Sequence, residues 1–225
     1  MGLGHAQQSR VDSKLRKVST KLEWMLGFLL MLEIGTEATV GGWIPTFAIL
    51  AGVSEKEGAT VYVTIFWVSM TVMRFAYAYL PGTSSQKMKR SQEMIVATSL
   101  GLLLLIYAGW IRFACLAGCI LFGVAMAPMY ALVYSLPSEF GFRLAESQTS
   151  TIVVCSEFAE GTLTSPTGKL MEWGSYRMLL YSEIFMALSM WLLRNRVVAE
   201  FKSLSESGGA ELEVELTEVK KEQPG

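Results

Sequence analysis

LEWMLGFLLMLEIGTEATVGGWIPTFAIL, residues Leu22–Leu50, is an apolar run that carries two carboxylates in its interior, Glu33 and Glu37, and then the sequence Gly41-Gly42-Trp43-Ile44-Pro45. A bilayer core of about 30 Å is crossed by about 20 apolar residues in a helix, so the run is long enough to span. An ionisable group inside such a span is costly and normally faces a bundle interior or a wet cavity. Glu33 and Glu37 are four residues apart, on one helix face. The Gly-Gly-Trp-Ile-Pro sequence supplies a flexible backbone, an aromatic ring and a missing N–H. A discontinuous helix is expected there, with freed backbone groups available to a solute.

Working outward, the whole chain has the same character. Hydrophobic residues make up 52% of the 225, charged residues only 17%, and the mean hydropathy is +0.38. The charges cluster in the N-terminal tail, in short connectors and after Leu193. This is the composition of an all-α integral membrane protein. A net charge of −1 argues against nucleic acid as a partner, since that would require a concentrated basic face.

Six apolar segments are expected to span: 22–50, 59–80, 94–110, 113–136, 149–170 and 176–193. Residues 1–21 then form a basic tail or linker, 22–194 the transmembrane domain, and 195–225 an acidic tail expected to be disordered. The first segment lacks a small-residue cleavage site after a short apolar core, so no removable signal peptide is expected. Basic loops near span ends stay cytoplasmic. Twelve Lys and Arg residues fall on the side of the N-terminus, within Arg10–Lys21, Lys87–Arg90, Arg143 and Arg194–Lys202, against four opposite, Lys56, Arg112, Lys169 and Arg177. Both termini are therefore expected in the cytoplasm, which agrees with an even number of spans.

The fifth segment is the most polar. Ile152, Cys155, Ala159, Leu163 and Leu170 form one helical stripe, and Ser156, Glu157, Glu160, Thr164 and Thr167 another. Within a bundle this describes a helix lining a cavity; outside one it describes an amphipathic helix on the membrane surface. Gly161, Pro166 and Gly168 favour the lining role, because backbone-freeing residues are tolerated at depth where protein or water satisfies the backbone.

No catalytic constellation is visible, and an enzyme is not expected. The only histidine is His5, in the polar tail, so neither a Ser-His arrangement nor a histidine zinc site can be assembled. Cys115, Cys119 and Cys155 are expected to be small packing residues. The embedded ionisable groups are the better candidates. At 1.5 Å per residue Glu33 lies roughly 16 Å and Glu37 about 22 Å from the cytoplasmic end of the first span. The two can carry a coupling proton, hold sodium with neighbouring oxygens, or simply neutralise Arg74 and hydrogen-bond a neighbouring helix. Arg74, about 9 Å into the second span, either reaches Glu33 as a gate or snorkels to headgroups. Trp43 and Trp67 offer flat faces for the C–H side of a sugar, with the carboxylates and Gln148 to take hydroxyls. Trp110, Trp173 and Trp191 fit an interfacial belt more simply.

Several of these residues resemble the C-terminal half of a major facilitator superfamily transporter, in the branch of fucose permeases and sodium-dependent glucose transporter-like proteins. Gly35-Thr36-Glu37 with Gly41-Gly42-Trp43 resembles the seventh helix of that branch. Phe66-Trp67 and Met73-Arg74 resemble the eighth, Gly123 with Ala127-Pro128 the tenth, and Gly161, Pro166 and Gly168 the eleventh. The likeness covers about Leu22–Leu193. It departs from the usual pattern at Met73, Ala131 and Thr162. It implies a six-helix half, alternating access, and a small polar solute such as a sugar, coupled to protons or sodium without a bound cofactor. It also implies a partner, either a second six-helix half or a second copy, and a site drawn from Glu33, Glu37, Trp43, Trp67, Arg74, Gln148, Glu157 and Glu160. A different reading is a membrane protein that uses the half-bundle for packing or assembly and transports nothing.

Overall fold

The computed structural model describes residues 16–222, with the side chains of residues 17–206. Among the described residues three helices are long and apolar enough to cross a membrane, α1 (Thr20–Leu50), α2 (Lys56–Tyr77) and the helical stretch Ile111–Glu139. The chain is an all-α protein of membrane type in which α1 is the central element.

Ser19 starts α1 by accepting a hydrogen bond from the Leu22 N–H at 3.4 Å, the usual device for satisfying first-turn donors. Its interior face carries Leu22, Leu26, Leu29 and Leu30, all buried. The helix then runs unbroken to Leu50 with Pro45 inside it. The discontinuity expected at Gly41–Pro45 is therefore absent. Pro45 removes one helical hydrogen bond, but an apolar surrounding offers the remaining backbone no better partner than the helix. The glycines serve packing instead: a Cβ at Gly41 would lie 3.0 Å from the Trp67 ring.

After α2 come α3 (Ser84–Tyr107), α4 (Ile111–Met126) and α5 (Met129–Glu139). The apolar segment expected as one span over 113–136 thus lies within one helical stretch, Ile111–Glu139, that carries a local turn at Ala127-Pro128. At Gly123 the α4 backbone comes so close to α2 that a Cβ would sit 2.6 Å from the Phe66 carbonyl oxygen and overlap the Ser69 hydroxyl. Only a glycine allows that approach. Cys115 and Cys119 are free thiols in the core, and Cys155, also free, packs beside Gly27.

A two-residue parallel pairing joins β1 (Arg16–Lys17) to β2 (Phe142–Arg143), Arg16 opposite Phe142 and Lys17 opposite Arg143. It ties the entry of α1 to the start of α6 (Glu146–Ala159). A π-helical turn, Glu160–Thr164, follows, then α7 (Ser165–Trp173) and α8 (Met178–Glu222). The fifth expected segment is therefore the one whose helix is locally irregular, widening at the π turn without a break between Glu146 and Trp173. Pro166 in the first turn of α7 has no N–H to give the preceding turn, which is where a π-bulge relieves the mismatch.

α8 runs antiparallel to α1. Tyr176 meets Phe47 edge-on, 5.4 Å between centroids, and Glu200 pairs with Lys21 at 2.8 Å. The backbone of α8 stays helical through Glu222, so the tail expected to be disordered over 195–225 is helical to that residue. Its Ala, Glu, Leu and Lys content explains this, since these are strong helix formers. Residues 1–15 of the expected basic tail lie outside the described residues.

Candidate functional site

Arg74 on α2 and Glu37 on α1 form an ion pair between these two apolar helices. An Arg74 Nη2 donates to Glu37 Oε2 at 3.2 Å and Oε1 at 3.4 Å, and Nε donates to the Ala127 carbonyl at 3.3 Å. The guanidinium therefore joins α1, α2 and the α4–α5 turn. It is 47% exposed, whereas Glu37 is 12% exposed. The carboxylate lies on the wall of an open groove and the arginine on that of a neighbouring concavity. The groove, about 390 Å³, is lined by Glu37, Gly41, Gly42, Trp67 and, from the π turn, Glu160. The concavity, about 650 Å³, continues past Arg74 along Tyr77, Lys87, Pro128 and Tyr130. Ile34 borders both.

Four of the expected residues, Glu37, Trp67, Arg74 and Glu160, are thus brought together, and four are not. Glu33 does not pair with Arg74. Four residues turn a helix by 40° past a full circle, which carries Glu33 away from the groove and into the interior, where it is 2% exposed and both carboxyl oxygens lack a hydrogen-bond partner. Trp43 is a helix clamp rather than a groove wall: its indole N–H donates to the Thr164 carbonyl at 2.9 Å, and its ring lies against the backbone at Gly168, where any Cβ would overlap it. The neighbouring hydroxyls of Thr39 and Thr164 are 3.3 Å apart.

Gln148 is an end cap, remote from the groove. Its Oε1 accepts from the Ala145 N–H at 3.1 Å, and its Nε2 donates to the Val18 carbonyl at 2.8 Å and to Glu23 at 3.2 Å. Glu157 is exposed on α6 and is not among the residues lining the groove.

Buried polar residues outside the expected site include Glu183 and Gln92. Glu183 on α8 is fully buried with both carboxyl oxygens unpartnered, and Gln92 on α3 is fully buried with its amide unpartnered. The signal for Glu183 was present in the sequence: it is the one acidic residue in the apolar run Met178–Leu193. Among the described residues no group of three or more His, Cys, Asp or Glu side chains is placed to hold a metal ion.

Chemically, the groove offers two carboxylates, one of them paired with Arg74, and an indole face beside an apolar wall, a combination suited to an uncharged polar solute or a small cation. No protein-family model matches the chain, and comparison with curated proteins and with solved structures finds no match.

Proposed function

We propose that this chain is one half of a transmembrane transporter of the sugar-permease type, moving a small polar solute by alternating access together with a second six-helix half or a second copy. In this reading α3, the irregular helix α6–α7 and the first part of α8 join the three apolar stretches as spans, with both termini in the cytoplasm. The observation that carries the reading is the Glu37–Arg74 pair on a groove open along one side. Glu160 and Trp67 share that groove. Charges placed between membrane-length helices are retained where they serve a pathway, and a groove with one wall calls for a partner to close it.

Glu37 and Glu160 are the groups that would bind a coupling proton or sodium, Trp67 the face on which a sugar would stack, and Arg74 the lock released when the carboxylate is otherwise engaged. The test is flux in proteoliposomes with a panel of labelled monosaccharides, under a proton or sodium gradient. Substrate-dependent uptake lost in Arg74→Gln and Glu37→Gln is the expected result. No flux for any sugar, with stable co-purification of another membrane protein, would favour the packing or assembly role instead.

A further inference from the structure

The α2–α3 turn carries a feature that the groove does not use. Leu80-Pro81-Gly82 lie in the turn after α2, and α3 opens with Lys87 and Arg90 on its first two turns. Gly82 has φ +123°, a conformation open to glycine; Lys87 Cγ and an Arg90 Nη1 come within 3.7 and 3.9 Å of where its Cβ would stand. Both arms thus converge on the turn. The Lys87 ammonium lies 5.5 Å from the centre of the Tyr77 ring, and the Tyr77 hydroxyl donates to the Lys87 carbonyl at 3.1 Å.

These charges line a cleft of about 200 Å³ whose apolar lining includes Met73, Met94 and Val124, from α2, α3 and α4. The nearby basic residues are matched: Lys89 pairs with Glu93 at 3.6 Å, and Arg74 pairs with Glu37. Among the described residues Lys87 and Arg90 have no carboxylate partner. Two unneutralised cations at a helix end, above an apolar cleft between helices, match an amphiphile with an anionic head, and a basic pocket between membrane helices suits a lipid phosphate.

We propose that this cleft binds an anionic phospholipid, its phosphate on Lys87 and Arg90 and the upper part of one acyl chain along Met73, Met94 and Val124. Lys87 and Tyr77 border both the cleft and the concavity that Arg74 lines. An occupied cleft would therefore hold the α2–α3 turn in place beside the groove.

The test is native mass spectrometry of the full-length protein in detergent, titrated with phosphatidylglycerol or with phosphatidylcholine of the same chains. Each basic residue near an anionic head is worth about fivefold in affinity, so Lys87→Gln with Arg90→Gln should weaken phosphatidylglycerol binding about thirtyfold. Lys89→Gln, whose partner is Glu93, should leave it unchanged. Val124→Trp, which fills the cleft and keeps both charges, should also weaken it. Equal retention of the two lipids, an unchanged affinity in the double variant, or displacement of the lipid by millimolar inorganic phosphate would overturn the proposal. Thermal unfolding of each variant, expected to match the parent protein for the two polar substitutions, separates a lost site from a lost fold.

Discussion

Gly168→Ala is the smallest change that tests how the irregular helix is held. The added Cβ would stand 2.8 Å from Trp43 Cε2 and closer still to two other carbons of the ring. The indole cannot swing aside freely, because its N–H is held by the Thr164 carbonyl at 2.9 Å. Overpacking of this kind costs about 1–3 kcal/mol, and loss of the hydrogen bond about 0.5–1.5 kcal/mol more, so about 2–4 kcal/mol in all. For a chain of this length each kcal/mol moves Tm by about 2–4 °C, which sets an expected fall of roughly 4–16 °C. The assay is thermal unfolding of the purified protein in detergent. The second arm of the cycle is Trp43→Ala, in whose background Gly168→Ala should cost nothing further, a coupling of the kind contacting residues show. A change within about 1 °C for Gly168→Ala alone, or simple addition in the double variant, would refute the clamp.

Three further substitutions separate the roles assigned above. Arg74→Gln should abolish flux while changing stability by no more than about 1 kcal/mol, because the pair is partly solvated; a loss of folded protein in thermal unfolding would contradict this. Gln148→Ala removes the cap on α6 and its tie to Val18, and should cost about 0.5–2 kcal/mol with flux per folded molecule unchanged; a selective loss of flux would return Gln148 to the solute site. Glu183→Leu replaces a buried carboxyl that has no partner, a group whose burial costs about 1–3 kcal/mol, and should raise Tm; a drop would show that the carboxyl is bonded in the working protein.

The helical content, the span-length character of α1 and α2 and the embedded charges were legible because they rest on composition and on a 3.6-residue period. The phase of α1 was harder to read. Glu33 and Glu37 share a face in a sequence pattern, yet 40° of rotation is enough to put one in the core and the other on the groove, and only the neighbours decide which. The discontinuity was placed at Gly41–Pro45 from glycine and proline content, which is the same in both candidate segments. What distinguishes them is use: Gly41 receives Trp67, whereas Pro166 stands one residue removed from the π turn. Gln148 reads as a solute contact in the sequence because an amide in a polar segment has many partners in principle. Its position three residues after Ala145, at the start of a helix, was the signal for a cap. Glu183 was passed over because one carboxylate among leucines and methionines does not alter the reading of a segment as apolar.

The groove is built by small residues more than by charged ones. Gly35 receives Leu163 from the π turn so closely that a Cβ would overlap it, and Gly41 receives Trp67 from α2. Glu37 lies between them. Close approach of backbones at glycine is a usual way for helices to associate in a membrane, and here the two approaches flank one carboxylate. Leu163 brings Glu160 with it, three residues away in the same turn, and Trp67 brings Arg74, two helical turns further along α2. The charged cluster therefore depends on contacts that carry no charge. Enlarging Gly35 would push the π turn outward and withdraw Glu160, leaving the Glu37–Arg74 pair in place. Enlarging Gly41 would move α2 and strain that pair. The two substitutions thus act on different walls of one groove.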